Sequence, residues 1–433
     1  MMANTALSRD MDNSSLVGLP LELLFQITSY LEERDIRSLR LASRVLEDVT
    51  FESFACKHFS QVQIHRSKSD LQRLIDMADS HLRPYIKQVW LGAAVADLSL
   101  AEPSEDRRML ARAFSKLDLD TIGLVNHISP PRSCSPAPLS WDFSGSFRAL
   151  VGAAVDAKIS PRVFDTAFDF YTDDMLDCLP RQGGVSDPFC VNLRELHIQL
   201  YLTRKNRRTP NWTDQICDFL GRIPHLHVLH LEVKEDYCKT EAEKVWQISR
   251  WLGRALPSHD RSDCVVASPA TLNQITNLKL SMTGVCMGDL LAITDRFSGT
   301  LKSLELDGVW FRNADSHSWM TFLDGLLSQL MRNRLKLNEI DIKTGRPGSR
   351  EGRFYFYRQS HSYHQCRFFY KGRDTAMAVA YLVSYMRYKS ESRDLSDETD
   401  MPKPEPAFRG RWILYDSWQH EEEEVICDSS SSD

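Results

Sequence analysis

Any chemistry this chain performs must come from a few short stretches where reactive side chains cluster. "HSYHQC" sets His361, His364 and Cys366 close together, and "HLHVLH" offers His225, His227 and His230. Zinc uses such donors, yet a structural zinc needs four ligands at defined spacing, and neither cluster has a partner pair. Histidines of the surface or of an edge strand are the default reading of both. Asp118 and Asp120 in "LDLDTIG" could act as paired carboxylates only if their surroundings drove their pKa values apart, which a sequence does not show. The chain has no Gly-x-Ser-x-Gly elbow, no Gly-x-x-x-x-Gly-Lys phosphate loop and no Gly-x-Gly-x-x-Gly fingerprint. The expectation is no catalytic residue, no metal and no cofactor, which turns attention to surfaces and to the elements that build them.

A length of 433 residues exceeds the roughly 100–200 typical of one domain, so two or three units, or one unit with a repeat-like body, are expected. The apolar (42%) and charged (26%) fractions are those of an ordinary soluble globular protein. The net charge of −6 conceals an asymmetry: Glu391 to Asp433 holds 13 acidic and 4 basic residues, so the tail is near −9 and the rest near +3. Neither value suits nucleic acid, which calls for a concentrated basic patch. The ten cysteines are scattered without a Cys-x-x-Cys pair, and Cys217 in "WTDQICDFLGRI" stands where an apolar residue would, as expected of reduced, packed thiols. "MMANTALSRDMDNSS" lacks the apolar run of a signal peptide, and the longest apolar run, "AMAVAYLVSYM", is about half of a membrane span. These features predict a cytoplasmic or nuclear protein with no membrane contact.

"LVGLPLELLFQITSYLEERDIRSLRLASRVLEDV", residues 16–49, is the most apolar short region. Pro20 at a first helical position, followed by Leu23, Leu24, Ile27 and Leu31, predicts a helix over 20–31. Leu21, Phe25 and Tyr30 widen its apolar arc beyond what one neighbour can cover. Asp35 can cap a second helix carrying Ile36, Leu39, Ala42, Val45, Leu46 and Val49. About 40 residues seldom make an adequate core alone, so the surplus apolar surface packs either on the rest of the chain or on a partner.

Leu19, Pro20, Glu22, Leu23, Leu24, Ile27, Tyr30, Leu31, Asp35, Ile36, Leu39, Ser43 and Arg44 fall in the register of a known motif. The region closely resembles the F-box, although the aromatic residue often following the Ser-Arg step is absent, with Leu46 nearby instead. The resemblance implies a three-helix bundle that binds the Skp-type linker protein of a cullin–RING ubiquitin ligase, and through it the cullin and RING subunits. Leu19, Pro20, Leu23, Ile27, Leu31, Ile36 and Leu39 are the positions it assigns to the linker contact, some of which must instead hold the helices together.

Farther on, the form apolar-x-x-apolar-x-apolar in "IKQVWL" (86–91) returns at 193–198, 226–231, 275–280, 301–306 and 337–342. From residue 193 the starts lie 33, 49, 26 and 36 residues apart, with helical patterns between. An α/β chain follows: a stack of strand–helix units whose strands form a curved parallel sheet. The pattern resembles leucine-rich repeats, but irregular lengths and the lack of an Asn after each strand make it a ragged array. A doubly wound α/β domain is the alternative. In the array, Trp90, His197, His230, Lys279, Glu305 and Asp341 form the middle row of the outward strand face, the candidate target-binding surface, whose later strands would suit a basic segment. A solvated sheet face is the competing reading of that row.

The expected organisation is a disordered 1–15, an F-box over 16–60, a helix–strand connection over 61–130, a linker over 131–146 and the array over 147–343. A cap with an aromatic hairpin over 353–370, a helix and a strand follows to 418, then an acidic, Ser-rich disordered tail over 419–433. The stretch 147–190 has no clear repeat. The function these features imply is a substrate-recognition subunit of an SCF-type ligase holding an unknown target protein. A scaffold without a degraded target and an unrecognised α/β enzyme are the alternatives.

Overall fold

The computed structural model describes residues 16–92, 94–95, 103–125, 141–171, 188–202, 212–235, 242–254, 272–282, 285–309, 311, 318–343, 367–391 and 410–415. The stretches 1–15 and 419–433, expected to be disordered, lie outside the described residues, as do 353–366.

Pro20 starts α1 (Leu21–Tyr30) from just outside the helix, its carbonyl accepting the N–H groups of Leu23 and Leu24. Extended backbone at Leu31 ends α1. The second helical run is divided: α2 (Glu33–Ala42) and α3 (Arg44–Phe59) meet at Ser43, whose φ of −161° and ψ of 141° break the helix. Asp35 consequently lies inside α2 and does not cap it. Leu24, Thr28, Ile36, Leu46, Thr50 and Ala55 form a small buried centre among the three helices. Lys57 Nζ donates to the carbonyl of Leu31 (2.7 Å), and the Arg40 guanidinium lies 3.8 Å from the Phe54 ring centroid, tying α1 and α2 to α3.

From α3 the chain passes through Ser60 alone into β1 (Gln61–His65), then α4 (Lys68–Ala78), β2 (Gln88–Gly92), β3 (Ala94–Val95), α5 (Pro103–Phe114), β4 (Thr121–Val125), β5 (Trp141–Asp142) and α6 (Phe143–Asp156). There follow β6 (Val163–Tyr171), α7 (Pro188–Val191), β7 (Glu195–Leu202), α8 (Trp212–Gly221), β8 (Val228–Glu235), α9 (Ala242–Gly253), β9 (Asn277–Met282) and α10 (Met287–Arg296). The last elements are β10 (Ser303–Asp307), α11 (Ser318–Met331), β11 (Glu339–Lys343), β12 (Arg367–Gly372), α12 (Thr375–Glu391) and β13 (Gly410–Tyr415).

Eleven strands make one sheet in the order β1-β2-β4-β6-β7-β8-β9-β10-β11-β12-β13, parallel as far as β11 and antiparallel for the last two. β3 and β5 form a separate antiparallel pair. A doubly wound fold reverses its strand order at a switch point, whereas here each strand lies beside its predecessor, always advancing one way. Right-handed crossovers that all advance one way put every connecting helix on the same face. Accordingly α4, α5 and α6 pack in succession, as do α8 to α12. Strand positions facing them, such as Val89 and Leu91, Ile122 and Leu124, Leu229 and Leu231, and Ile340 and Ile342, are buried against helix residues such as Leu74, Phe114, Phe219 and Phe322. Among the described residues no helix of this series lies on the opposite face, where single polar residues alternate with the apolar ones along the strands.

A backbone clamp repeats at the start of each unit. The carbonyls of Ser60, Lys87, Asp120, Arg162, Arg194, His227, Thr276 and Lys302 each accept two successive N–H groups from the beginning of the next strand, as Lys87 does from Asp120 and Thr121. The clamps are between 26 and 49 residues apart, yet each sets its strand level with the last. Register is therefore fixed by backbone hydrogen bonds and does not need repeats of equal length.

Two expected boundaries differ. β4 pairs with β2 on one side and β6 on the other, so the sheet runs unbroken past 131–146 and the array begins at β1, not at residue 147. The unassigned 147–190 carries most of α6, all of β6 and the start of α7. β12 pairs with β11 on one edge and with β13 (410–415) on the other, while the first part of the expected hairpin, 353–366, lies outside the described residues.

Candidate functional site

Two surfaces stand out. The first is on the N-terminal helices. Ten large apolar side chains are left exposed among the described residues, and seven of them, Leu19, Leu21, Leu23, Phe25, Tyr30, Leu41 and Val45, lie within residues 19–45. Such crowding separates this surface from scattered exposed apolar residues, which need no explanation. Of the predicted contact set, Leu19, Pro20 and Leu23 are exposed and Ile27, Leu31 and Leu39 half-buried. Ile36 is 0% exposed and belongs to the residues that hold the helices together. Tyr30 (82% exposed) and Leu41 (89%) were outside the predicted set, although the width of the α1 apolar arc signalled the first of them.

The second surface is the uncovered strand face. Cα register places Trp90, Gly123, Asp165, His197, His230, Lys279, Glu305, Asp341 and Phe369 level with one another on successive strands. All six residues predicted for the middle row are in it. Gly123 and Asp165 were missed because their strands were. "LDTIGL" (119–124) has the repeating form but stands out first for its carboxylates, while β6 has Pro161 and Thr166 at two of the three apolar positions. Thr166 is buried there because its hydroxyl donates to the His197 carbonyl at 3.1 Å.

The row has two halves. In the first, a Cβ on Gly123 would come within 2.6 Å of the Trp90 ring, so the glycine is what lets the indole lie across the strand. Asp165 Oδ2 accepts from His197 Nδ1 at 2.9 Å, and the His197 and His230 rings stack with centroids 4.0 Å apart and planes 12° from parallel. Burial first, then His197 and Lys279, push the pKa of His230 down to about 4, so that ring is neutral at physiological pH. In the second half, Lys279 pairs with Glu305 (2.9 Å), Lys343 bridges Glu305 and Asp341, Arg367 grips Asp341 through two hydrogen bonds (3.0 and 2.8 Å), and Lys371 pairs with Glu339 (3.0 Å). Burial alone would raise the Glu305 carboxyl, but hydrogen bonds from Lys343 and Lys279 hold it below its ordinary range. The later strands are thus not the acidic patch expected for a basic segment: four carboxylates, Glu305, Asp307, Glu339 and Asp341, face Lys279, Lys343, Arg367 and Lys371. Asp341 is itself almost covered, at 6% exposure.

Among the described residues, the clusters that could do chemistry do not assemble. His225 is exposed, His227 accepts from Arg194 on Nε2 and donates from Nδ1 to the Gln274 carbonyl, and His230 is in the outward row. His361, His364 and Cys366 lie outside the described residues, and among the described residues no group of three His, Cys, Asp or Glu is placed to hold a metal ion. Asp118 pairs with Lys87 at 2.8 Å, a hydrogen bond that keeps its carboxyl below the usual range and ionised. No helix among the described residues is long and apolar enough to cross a membrane.

No family model matches the chain, and no curated protein matches it. Among solved structures, a D-psicose 3-epimerase crystallised in the presence of D-fructose is similar over 65% of this chain and 91% of that one, at 12% identity and a TM-score of 0.16. A likeness that slight says nothing about fold or activity here.

Proposed function

We propose that the chain is a substrate-recognition subunit of an SCF-type cullin–RING ubiquitin ligase. In this reading residues 16–59 are an F-box that holds the Skp-type linker protein, and the strand–helix array is a ragged relative of leucine-rich repeats that holds a target protein on its uncovered face. The observation that carries it is the concentration of exposed apolar side chains over residues 19–45, in a stretch that also has the F-box sequence register. Docking the linker would remove those side chains from water, each fully buried Leu or Ile contributing about 1.5–3 kcal/mol.

The mechanism is proximity, with ubiquitin transfer performed by the partner subunits. Holding a target lysine near a charged conjugating enzyme raises its effective concentration, provided the connection between the two docking surfaces is stiff. Ser60 is the only residue between α3 and β1, and Phe51 of α3 packs on His81 and Tyr85 (ring centroids 5.0 and 5.8 Å), which joins the helices firmly to the first edge of the sheet. The place of action is the cytoplasm or the nucleus.

The test is co-precipitation of the linker and cullin with the full chain in cells, alongside Leu23→Asp. The reading expects both partners with the wild type, neither with the variant, and at least one protein that accumulates when the chain is deleted. Linker and cullin capture without any accumulating protein would favour a scaffold. Absence of the linker would remove the reading.

A further inference from the structure

Two side-chain atoms on the uncovered face are buried without a hydrogen-bond partner: Trp90 Nε1 and His197 Nε2. Each such atom carries the desolvation cost of an unmade hydrogen bond, and both are in the same row, on either side of Gly123 and Asp165. Their demands differ. The Trp90 indole N–H can only donate, so it requires an acceptor. His197 has its Nδ1 proton on Asp165, a carboxylate that only accepts, and its Nε2 is the ring nitrogen left to meet a further polar group.

Among the residues whose side chains are described, the cations of the same face are already engaged. Lys279, Lys343, Arg367 and Lys371 each lie at ion-pair distance from a carboxylate, so a phosphate or other anion would have to break a pair to recruit one. We infer that the first half of the face, centred on Trp90 and His197, receives an unphosphorylated, extended segment of the target protein. A carbonyl of that segment accepts from the Trp90 indole, and a second polar group of the segment hydrogen-bonds to His197 Nε2. An extended polypeptide offers both groups along its backbone, and a few residues at about 3.3 Å each cover the strands between the two side chains. Both atoms are covered in the free chain although both rings stay half-buried, so docking includes the side-chain rotation common at interfaces.

This inference rests on the reading of the chain as a substrate-recognition subunit, and its test keeps the two apart. The full chain, loaded with purified Skp-type linker, is panned against a randomised peptide library prepared in matched unphosphorylated and serine-phosphorylated sets. The expected result is enrichment from the unphosphorylated set, with affinity for the enriched peptides lowered about tenfold or more in Trp90→Phe and in His197→Phe. Linker affinity stays at the wild-type value in both variants, which also shows that they are folded. Selective enrichment of phosphopeptides, peptides that bind both variants within twofold of wild type, or no enrichment by a chain that still holds the linker would each overturn the inference. Failure to hold the linker would instead count against the function proposed above.

Discussion

Gly123 gives the sharpest test of the uncovered face. A glycine in the middle of a strand is ordinarily a weakness, and replacing it with alanine should stabilise by roughly 0.5–1 kcal/mol through lost freedom of the unfolded chain. Here the added Cβ would come within 2.6 Å of the Trp90 ring and 2.7 Å of the Asp165 carbonyl oxygen. The ring could be pushed aside, but the second contact is backbone in a paired strand and cannot yield cheaply. Overpacking of this kind typically costs about 1–3 kcal/mol, which outweighs the entropic gain and predicts a net loss of about 1–2 kcal/mol for Gly123→Ala. Urea unfolding followed by circular dichroism measures it, and the Trp90 indole N–H resonance should move as the ring is displaced. A variant as stable as the wild type, with an unmoved indole signal, would refute the packing described for this row.

Other outcomes follow from the same geometry. Leu24 is buried and its neighbour Leu23 is 46% exposed, so Leu24→Ala should cost about 2–5 kcal/mol of stability and Leu23→Ala within about 0.5, measured by unfolding of the two proteins side by side. The Arg66–Asp106 pair, 2.9 Å apart and almost fully buried, joins the end of β1 to α5; Asp106→Ala leaves the guanidinium without its carboxylate and should destabilise by about 3–5 kcal/mol, whereas a change below 1 would contradict its burial. Because His230 has its pKa lowered from 6.5 to about 4, its contribution is fully present above pH 6.5 and is lost as pH falls toward 4, where the unfolded chain binds a proton that the folded chain does not. Allowing for its partial exposure, the loss is about 1–2 kcal/mol, and His230→Gln should flatten the stability profile between pH 7 and 4 by that amount.

What could be read from sequence depended on whether a rule acts locally. The five repeats of the strand form are β7 to β11 with β2 at their head, each strand beginning two residues after the first apolar residue of the form, because that residue sits buried at the approach to the strand. The row of six outward residues followed directly, since alternation along a strand and one common offset fix which side chains share a face. β6 escaped because a proline and a hydrogen-bonded threonine stand at apolar positions, and only its neighbours reveal it as a strand. The split at Ser43 was invisible for a similar reason: Ile36 to Val49 keep helical spacing on both sides of a residue with extended backbone. The neutralisation of Asp341 depends in part on Arg367, 26 residues away in the chain and brought alongside only by the antiparallel pairing of β12.

Titration calorimetry of the purified Skp-type linker into the full chain tests the central proposal most directly. Saturable one-to-one binding is predicted, weakened at least a hundredfold by Leu23→Asp, because a carboxylate would be buried where a half-exposed leucine had docked, while the unfolding transition stays within about 0.5 kcal/mol of wild type. No heat of binding with the wild type, or equal affinity in the variant, would contradict it.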